Sequence, residues 1–332
     1  MKIASVGIVG AGAWGTALAN VARSNGHDTV LWAFESEVVE SVNRGHRNHL
    51  FLPDVVLAPG IRATSDLALA ARCDLVLLAT PAQHLRTIAG RLASTLAAQT
   101  PVVICAKGIE QHSHALMSDV ASAALPGARL AVLSGPTFAR EVARGLPTAV
   151  TLACRDHALG GAIVEALGSR TFRPYLSDDV VGAQIGGAVK NVLAIAAGIV
   201  DGRGLGENAR AALIARGLAE MLRLGLALGA KRDTLMGLSG LGDLVLTCGS
   251  PQSRNNALGR ALATGETLAT HTARHRSVAE GAFSAEAACA IAAKVRVEMP
   301  ICRAVDGILR GQLAVDQAIM ALLSRPFRIE SE

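Results

Sequence analysis

Val181 to Val200 is a run of about twenty residues, almost all apolar or small, with Lys190 at its centre. A run of that length allows two outcomes, a membrane-spanning helix or a helix buried in a protein core. Lys190, Gln184, Asn191 and four glycines within the run argue against the membrane. The run therefore predicts a buried helix in a soluble protein with no membrane span. An ammonium taken out of water loses hydration, and its pKa falls toward neutrality. Such a lysine can give or take a proton at working pH. The competing reading is a lysine that snorkels to solvent.

A chain of 332 residues exceeds the usual size of one hydrophobic core, so two domains are expected. Aromatic residues are only 3% of a chain that is 51% hydrophobic, so Ala, Val, Leu and Ile must build the core. The net charge of +5 is spread rather than gathered in a basic tract. That favours anionic small ligands over nucleic acid. Six cysteines form no C-x-x-C pair and no Cys/His cluster of zinc spacing, so reduced thiols and no metal are expected. The first residues enter a strand-like run, Ile3 to Val9, without signal-peptide architecture, which points to the cytoplasm.

The first half alternates strand-like runs with helical segments. Val6 to Val9, Thr29 to Trp32, Leu75 to Ala79, Val102 to Cys105, Leu130 to Leu133 and Ala149 to Ala153 read as strands. Gly15 to Asn25 reads as a helix stopped by Gly26. Continuous apolar strands between helices predict a parallel sheet covered on both faces. From about Asp178 onward helical periodicity takes over. The expected fold is an α/β Rossmann-type dinucleotide-binding domain over residues 1–178, followed by a mostly α-helical substrate-binding domain over 179–332.

Gly10, Gly12 and Gly15 form G-x-G-x-x-G between a predicted strand and a predicted helix. Gly10 allows the tight turn, Gly12 the approach of a pyrophosphate, and Gly15 close packing of helix on strand. The phosphates would sit at the helix N-terminus beside Ala13 and Trp14. The ribose reader belongs at the end of the second strand, here Trp32, Ala33, Phe34 and Glu35. Glu35 lies beyond the usual spacing of ~20 residues, so it binds a 2′-hydroxyl or is a plain surface residue. No Arg or Lys falls between Leu31 and Val42, which tilts the reading toward NAD over NADP. Arg44, Arg47 or Arg254 are the alternative sources of a cation for a 2′-phosphate.

Further segments stand in order along the chain. They are Phe51-Leu-Pro53, Ala106-Lys-Gly108, Ser134-Gly-Pro-Thr-Phe-Ala139 and Gly187-Ala-Val-Lys-Asn191. Asn208 to Met221, Gly240-Leu-Gly-Asp-Leu244, Gln252-Ser-Arg-Asn255 and Val278-Ala-Glu-Gly281 follow. With the glycine loop, they make the chain resemble the bacterial form of the NAD(P)-dependent glycerol-3-phosphate dehydrogenases over nearly its whole length. Thr80-Pro81-Ala82, Phe34 and Ala13 depart mildly from that pattern.

The resemblance implies reversible oxidation and reduction between sn-glycerol 3-phosphate and dihydroxyacetone phosphate, supplying glycerophospholipid synthesis. It implies a homodimer, with NAD or NADP and no metal. Lys190 becomes the proton acceptor from the C2 hydroxyl as hydride leaves for the nicotinamide. Lys107, after the strand Val102 to Cys105, touches substrate and cofactor. Asp243 orients Lys190 or binds a substrate hydroxyl; read alone, it is a helix N-cap. Thr247, one helical turn later, shares that face. Asn191 partners substrate hydroxyls. Ser253, Arg254 and Asn255 grip the phosphate, although an arginine between polar residues is otherwise an ordinary solvated loop. Gly135 and Thr137 line the substrate loop. Phe34, Ala139, Val278 and Glu280 join the glycine loop, Lys107 and Arg254 around the cofactor.

Overall fold

The computed structural model describes residues 2–274 and 279–326. One eight-stranded sheet organises the first half: β1 (Ser5–Val9), β2 (Asp28–Trp32), β3 (Ile61–Thr64), β4 (Leu75–Leu78), β5 (Pro101–Ile104), β6 (Arg129–Ser134), β7 (Thr148–Ala153) and β8 (Phe172–Ser177). Their order is β3-β2-β1-β4-β5-β6-β7-β8. Seven helices accompany them: α1 (Ala13–Ser24), α2 (Ser36–Gly45), α3 (Leu67–Ala71), α4 (Leu85–Leu92), α5 (Met117–Ala124), α6 (Ala139–Ala143) and α7 (His157–Leu167). Two apolar clusters are built around the sheet. One includes Ile8, Leu31 and Leu77; the other includes Val9, Val30 and Val76. Alternate residues of the same strands thus serve different clusters, as a sheet covered on both faces requires.

The sheet is not wholly parallel. β7 runs antiparallel to β6, and β8 follows β7 in parallel. The chain turns back between β6 and β7 through a segment that carries only the five-residue α6. Helix length does not by itself set the direction, since the equally short α3 joins the parallel β3 and β4. Two strands were not foreseen, β3 and β8, and both lie at the sheet edges.

After β8 the chain is helical. It forms α8 (Val180–Gly202), α9 (Glu207–Ala227), α10 (Arg232–Met236), a π-helical turn at Leu238–Gly242, α11 (Asp243–Gly249), α12 (Arg254–Ala263), α13 (Leu268–Arg274), α14 (Glu280–Lys294), α15 (Pro300–Leu309) and α16 (Val315–Leu323). The apolar run is α8. Asp179 caps it, accepting the Gly182 N–H at 2.8 Å. α9, α11, α12, α14 and α15 surround it. Its whole apolar window lies inside the fold, where every residue from Gly182 to Val200 is buried. Lys190 is thereby buried among the helices of the second half and does not snorkel to the outer surface.

Candidate active site

The glycine loop joins β1 to α1. Gly10 has φ +112°, and a Cβ there would stand 2.9 Å from the Ala79 carbonyl. A Cβ on Gly15 would stand 1.8 Å from the Gly10 oxygen, so only glycine lets the helix meet the strand. Gly12 differs: its missing Cβ opens on free space, and no side chain caps α1 there. That leaves room and unbonded N–H groups for a diphosphate. Asn48 holds the loop from behind, donating to the Ala11 carbonyl and to Thr16 Oγ1, both at 2.8 Å.

A cleft of about 1050 Å³ runs from this loop to Lys190. Gly10, Gly12, Ala13, Trp14, Phe34, Glu35, Lys107, Thr137, Ala139, Lys190, Asn191, Thr247, Ser253, Arg254, Asn255 and Glu280 line it. Asp243 and Gly135 stand behind its wall, and Gly15 lies beneath the loop. Val278 lies outside the described residues.

At one end of the cleft two cations share one carboxylate. Lys190 Nζ donates to Asp243 Oδ1 at 2.7 Å and to Thr247 Oγ1 at 2.8 Å. Lys107 Nζ donates to Asp243 Oδ2 at 2.8 Å and to the Gly135 carbonyl at 2.7 Å. Thr137 Oγ1 lies 3.4 Å from the same ammonium. Asp243 is fully buried. Gly242, not Asp243, is the N-cap of α11, so the capping reading of Asp243 does not hold. Burial drags Lys190 from 10.5 down to about 8, and Lys107 adds to the fall while Asp243 opposes it.

The neighbouring polar groups are mostly spoken for. Asn191 Nδ2 donates to the Gly187 and Lys107 carbonyls, and its Oδ1 accepts from Asn255. Asn255 Oδ1 accepts the Gly281 N–H, tying α8, α12 and α14 together. Ser253 caps α12, accepting the Asn256 N–H. Arg254 differs. It is exposed to the cleft yet flanked by protein, so lost hydration pulls its pKa down while Glu280 partly restores it. Glu280 Oε1 accepts the Ala82 N–H at 3.0 Å, and Oε2 is buried without a partner among the described residues. Burial raises this carboxyl to about 6 against the pull of Ala82 and Arg254.

Comparison with known proteins bears directly on this arrangement. The model of the NAD-dependent glycerol-3-phosphate dehydrogenase N-terminus matches residues 5–160, and the model of its C-terminus matches 179–320. The chain belongs to the NAD-dependent glycerol-3-phosphate dehydrogenase family. A protein of Parvibaculum lavamentivorans named glycerol-3-phosphate dehydrogenase [NAD(P)+] is 58% identical, covering 98% of each chain. One of the same name from Rhodospirillum rubrum is 59% identical over 98% of this chain and 93% of its own. The crystal structure of glycerol-3-phosphate dehydrogenase from Coxiella burnetii, 39% identical, superposes with a TM-score of 0.93 over 98% of this chain and 99% of that one.

This member of the glycerol-3-phosphate dehydrogenase family also carries residues that sequence reasoning missed. Asn48 and Ala82 act through contacts distant in sequence. Arg91 of α4 reaches the far end of the cleft and lies 5.7 Å from the Trp32 ring centroid. Two cations considered for that end are not there. Arg44 pairs with Glu40, Arg47 donates to the Pro53 carbonyl, and neither lines the cleft.

Proposed function

We propose that this chain interconverts sn-glycerol 3-phosphate and dihydroxyacetone phosphate, with residues 1–178 holding NAD(P) and residues 179–332 supplying most of the substrate site. The observation that carries the reading is the Lys190–Asp243–Lys107 network at one end of a cleft whose other parts fit a dinucleotide. The open space at Gly12 and the uncapped α1 terminus suit the pyrophosphate. The volume of about 1050 Å³ slightly exceeds the ~300–1,000 Å³ of ordinary ligand pockets, as a dinucleotide beside a three-carbon substrate requires. When bound, the nicotinamide supplies or accepts the hydride.

The protein's part is the proton and the geometry. Lys190, protonated, donates to the ketone oxygen in reduction; neutral, it takes the C2 hydroxyl proton in oxidation. A value of about 8 places both forms within reach near neutrality. Asp243 and Thr247 occupy two directions around Nζ and leave the third toward the cleft. Lys107 adds positive charge beside the reacting oxygen. Arg254, with no hydrogen bond of its own among the described residues, meets the phosphate, while Ser253 and Asn255 hold its helix in place. The resemblance also supports a homodimer and reduction as the working direction, feeding glycerophospholipid synthesis.

The test is absorbance of the reduced nicotinamide with dihydroxyacetone phosphate in one direction and glycerol 3-phosphate in the other. Reduction should decline and oxidation should rise as pH passes about 8, where Lys190 loses its proton. No turnover in either direction, with either coenzyme, ends the proposal.

A further inference from the structure

The coenzyme end of the cleft sets a puzzle of charge. The segment after β2 offers Phe34, which is 78% exposed, and Glu35, whose carboxylate would repel a 2′-phosphate. The expected ribose reader is therefore hostile to the phosphorylated coenzyme. The described cations lining the cleft are Arg91, Lys107, Arg140, Lys190 and Arg254. Lys107 and Lys190 share Asp243, and Arg140 pairs with Asp54. Arg254 faces Glu280 at the substrate end. Arg91 alone has no carboxylate among the described residues.

We propose that Arg91 is the 2′-phosphate reader of this chain, supplied from α4 rather than from the segment after β2, so that the site takes NADP as well as NAD. This rests on the dinucleotide reading of the cleft. Two contacts prepare the side chain. Trp32 is the last residue of β2, the place where the adenosine ribose is read in this fold. Its indole is fixed by a 3.0 Å hydrogen bond from Nε1 to the Ser65 carbonyl. The Arg91 guanidinium lies against that fixed ring, a cation–π contact that holds the plane while leaving its N–H fork unbonded. A fork of that kind matches phosphate oxygens in pairs. Glu35 opposes it from the same end, and the balance between the two sets the preference.

The test uses half-coenzymes in calorimetric titrations of the whole chain: 2′,5′-ADP, which carries the extra phosphate, and 5′-AMP, which does not. The wild type should bind 2′,5′-ADP about ten- to hundred-fold more tightly, the size of a charge-assisted hydrogen bond. In Arg91→Ala that ratio should collapse toward one. In Arg91→Lys, which keeps charge without the fork, it should fall between. The ratio of kcat/KM for NADPH to that for NADH should drop in parallel. A wild type indifferent to the extra phosphate, or an alanine variant that keeps the preference, overturns the proposal. Failure of both probes to bind overturns it together with the dinucleotide reading. Nucleotide binding without turnover of dihydroxyacetone phosphate would instead remove the substrate assignment and leave Arg91 in place.

Discussion

Replacing Lys190 by methionine isolates the cost of the buried ammonium. The wild-type side chain is only 8% exposed, and burial outweighs the attraction of Asp243. The unfolded chain keeps this proton up to 10.5, and the folded chain releases it near 8. Between those values the unfolded state binds more protons, so folding gains as pH rises. At ~1.4 kcal/mol per unit, the window from 10.5 to about 8 carries about 3 kcal/mol. Below it the wild type bears the whole penalty, and Lys190→Met does not. The variant forfeits two hydrogen bonds, at ~1 kcal/mol each, so its net advantage there is about 1 kcal/mol. Urea unfolding followed by far-ultraviolet circular dichroism, at a series of pH values, measures the difference. The wild type should gain about 3 kcal/mol on the variant as pH climbs from about 8 to 10.5. A flat difference would show that the lysine is not perturbed. A difference of opposite slope would show that Asp243 outweighs burial.

Three further outcomes are expected. Lys190→Ala should lower turnover by about 100- to 10,000-fold while coenzyme still binds, read by steady-state rates beside fluorescence titration of NADH; wild-type turnover would refute it. Arg254→Ala should raise the KM for dihydroxyacetone phosphate by about ten- to hundred-fold, and unphosphorylated dihydroxyacetone should be a poor substrate for the wild type; equal efficiency toward both compounds would remove Arg254 from the phosphate. Asp243→Asn should destabilise the fold by ~3–5 kcal/mol, because the buried Lys190 and the partly buried Lys107 lose their shared, fully buried carboxylate. Chemical denaturation checks this, and a loss under ~1 kcal/mol would mean that water screens the trio.

Lys190 was legible because one charge inside a long apolar run has few physical explanations. The glycine loop was legible because its spacing came with a strand before it and a helix after it. The edge strands were not. β3 exposes Arg62 in the middle of four residues, and β8 contains Pro174 and buries only Phe172. Half-exposed edges lack the continuous apolar pattern of central strands. The reversal at β7 was hidden because strand direction leaves no mark on composition, and the five-residue α6 is no shorter than the α3 that joins two parallel strands. In the site, residue types could be nominated but not their partners. Asp243 meets lysines 53 and 136 positions away. Asn255 and Ser253, nominated for the phosphate, have polar groups already committed to helix packing. Arg91 stands in no motif of the sequence, and only the fold sets it against Trp32.

Lys190 sits on a helix buried along nearly its whole length, whereas Phe34 and Arg91 stand at the open end of the cleft. The two halves of the chemistry therefore differ in how freely a lineage can alter them. Exposed positions usually change at a cost within ~0.5 kcal/mol, and packed ones at ~2–5 kcal/mol. Taste for one reductant or the other can drift, or be redesigned, while the fold barely registers the change. The proton-handling end has no such latitude, because the helix that carries Lys190 is also the centre of its own core. Descendants of such a chain are expected to differ in their electron source long before they differ in the bond they act on.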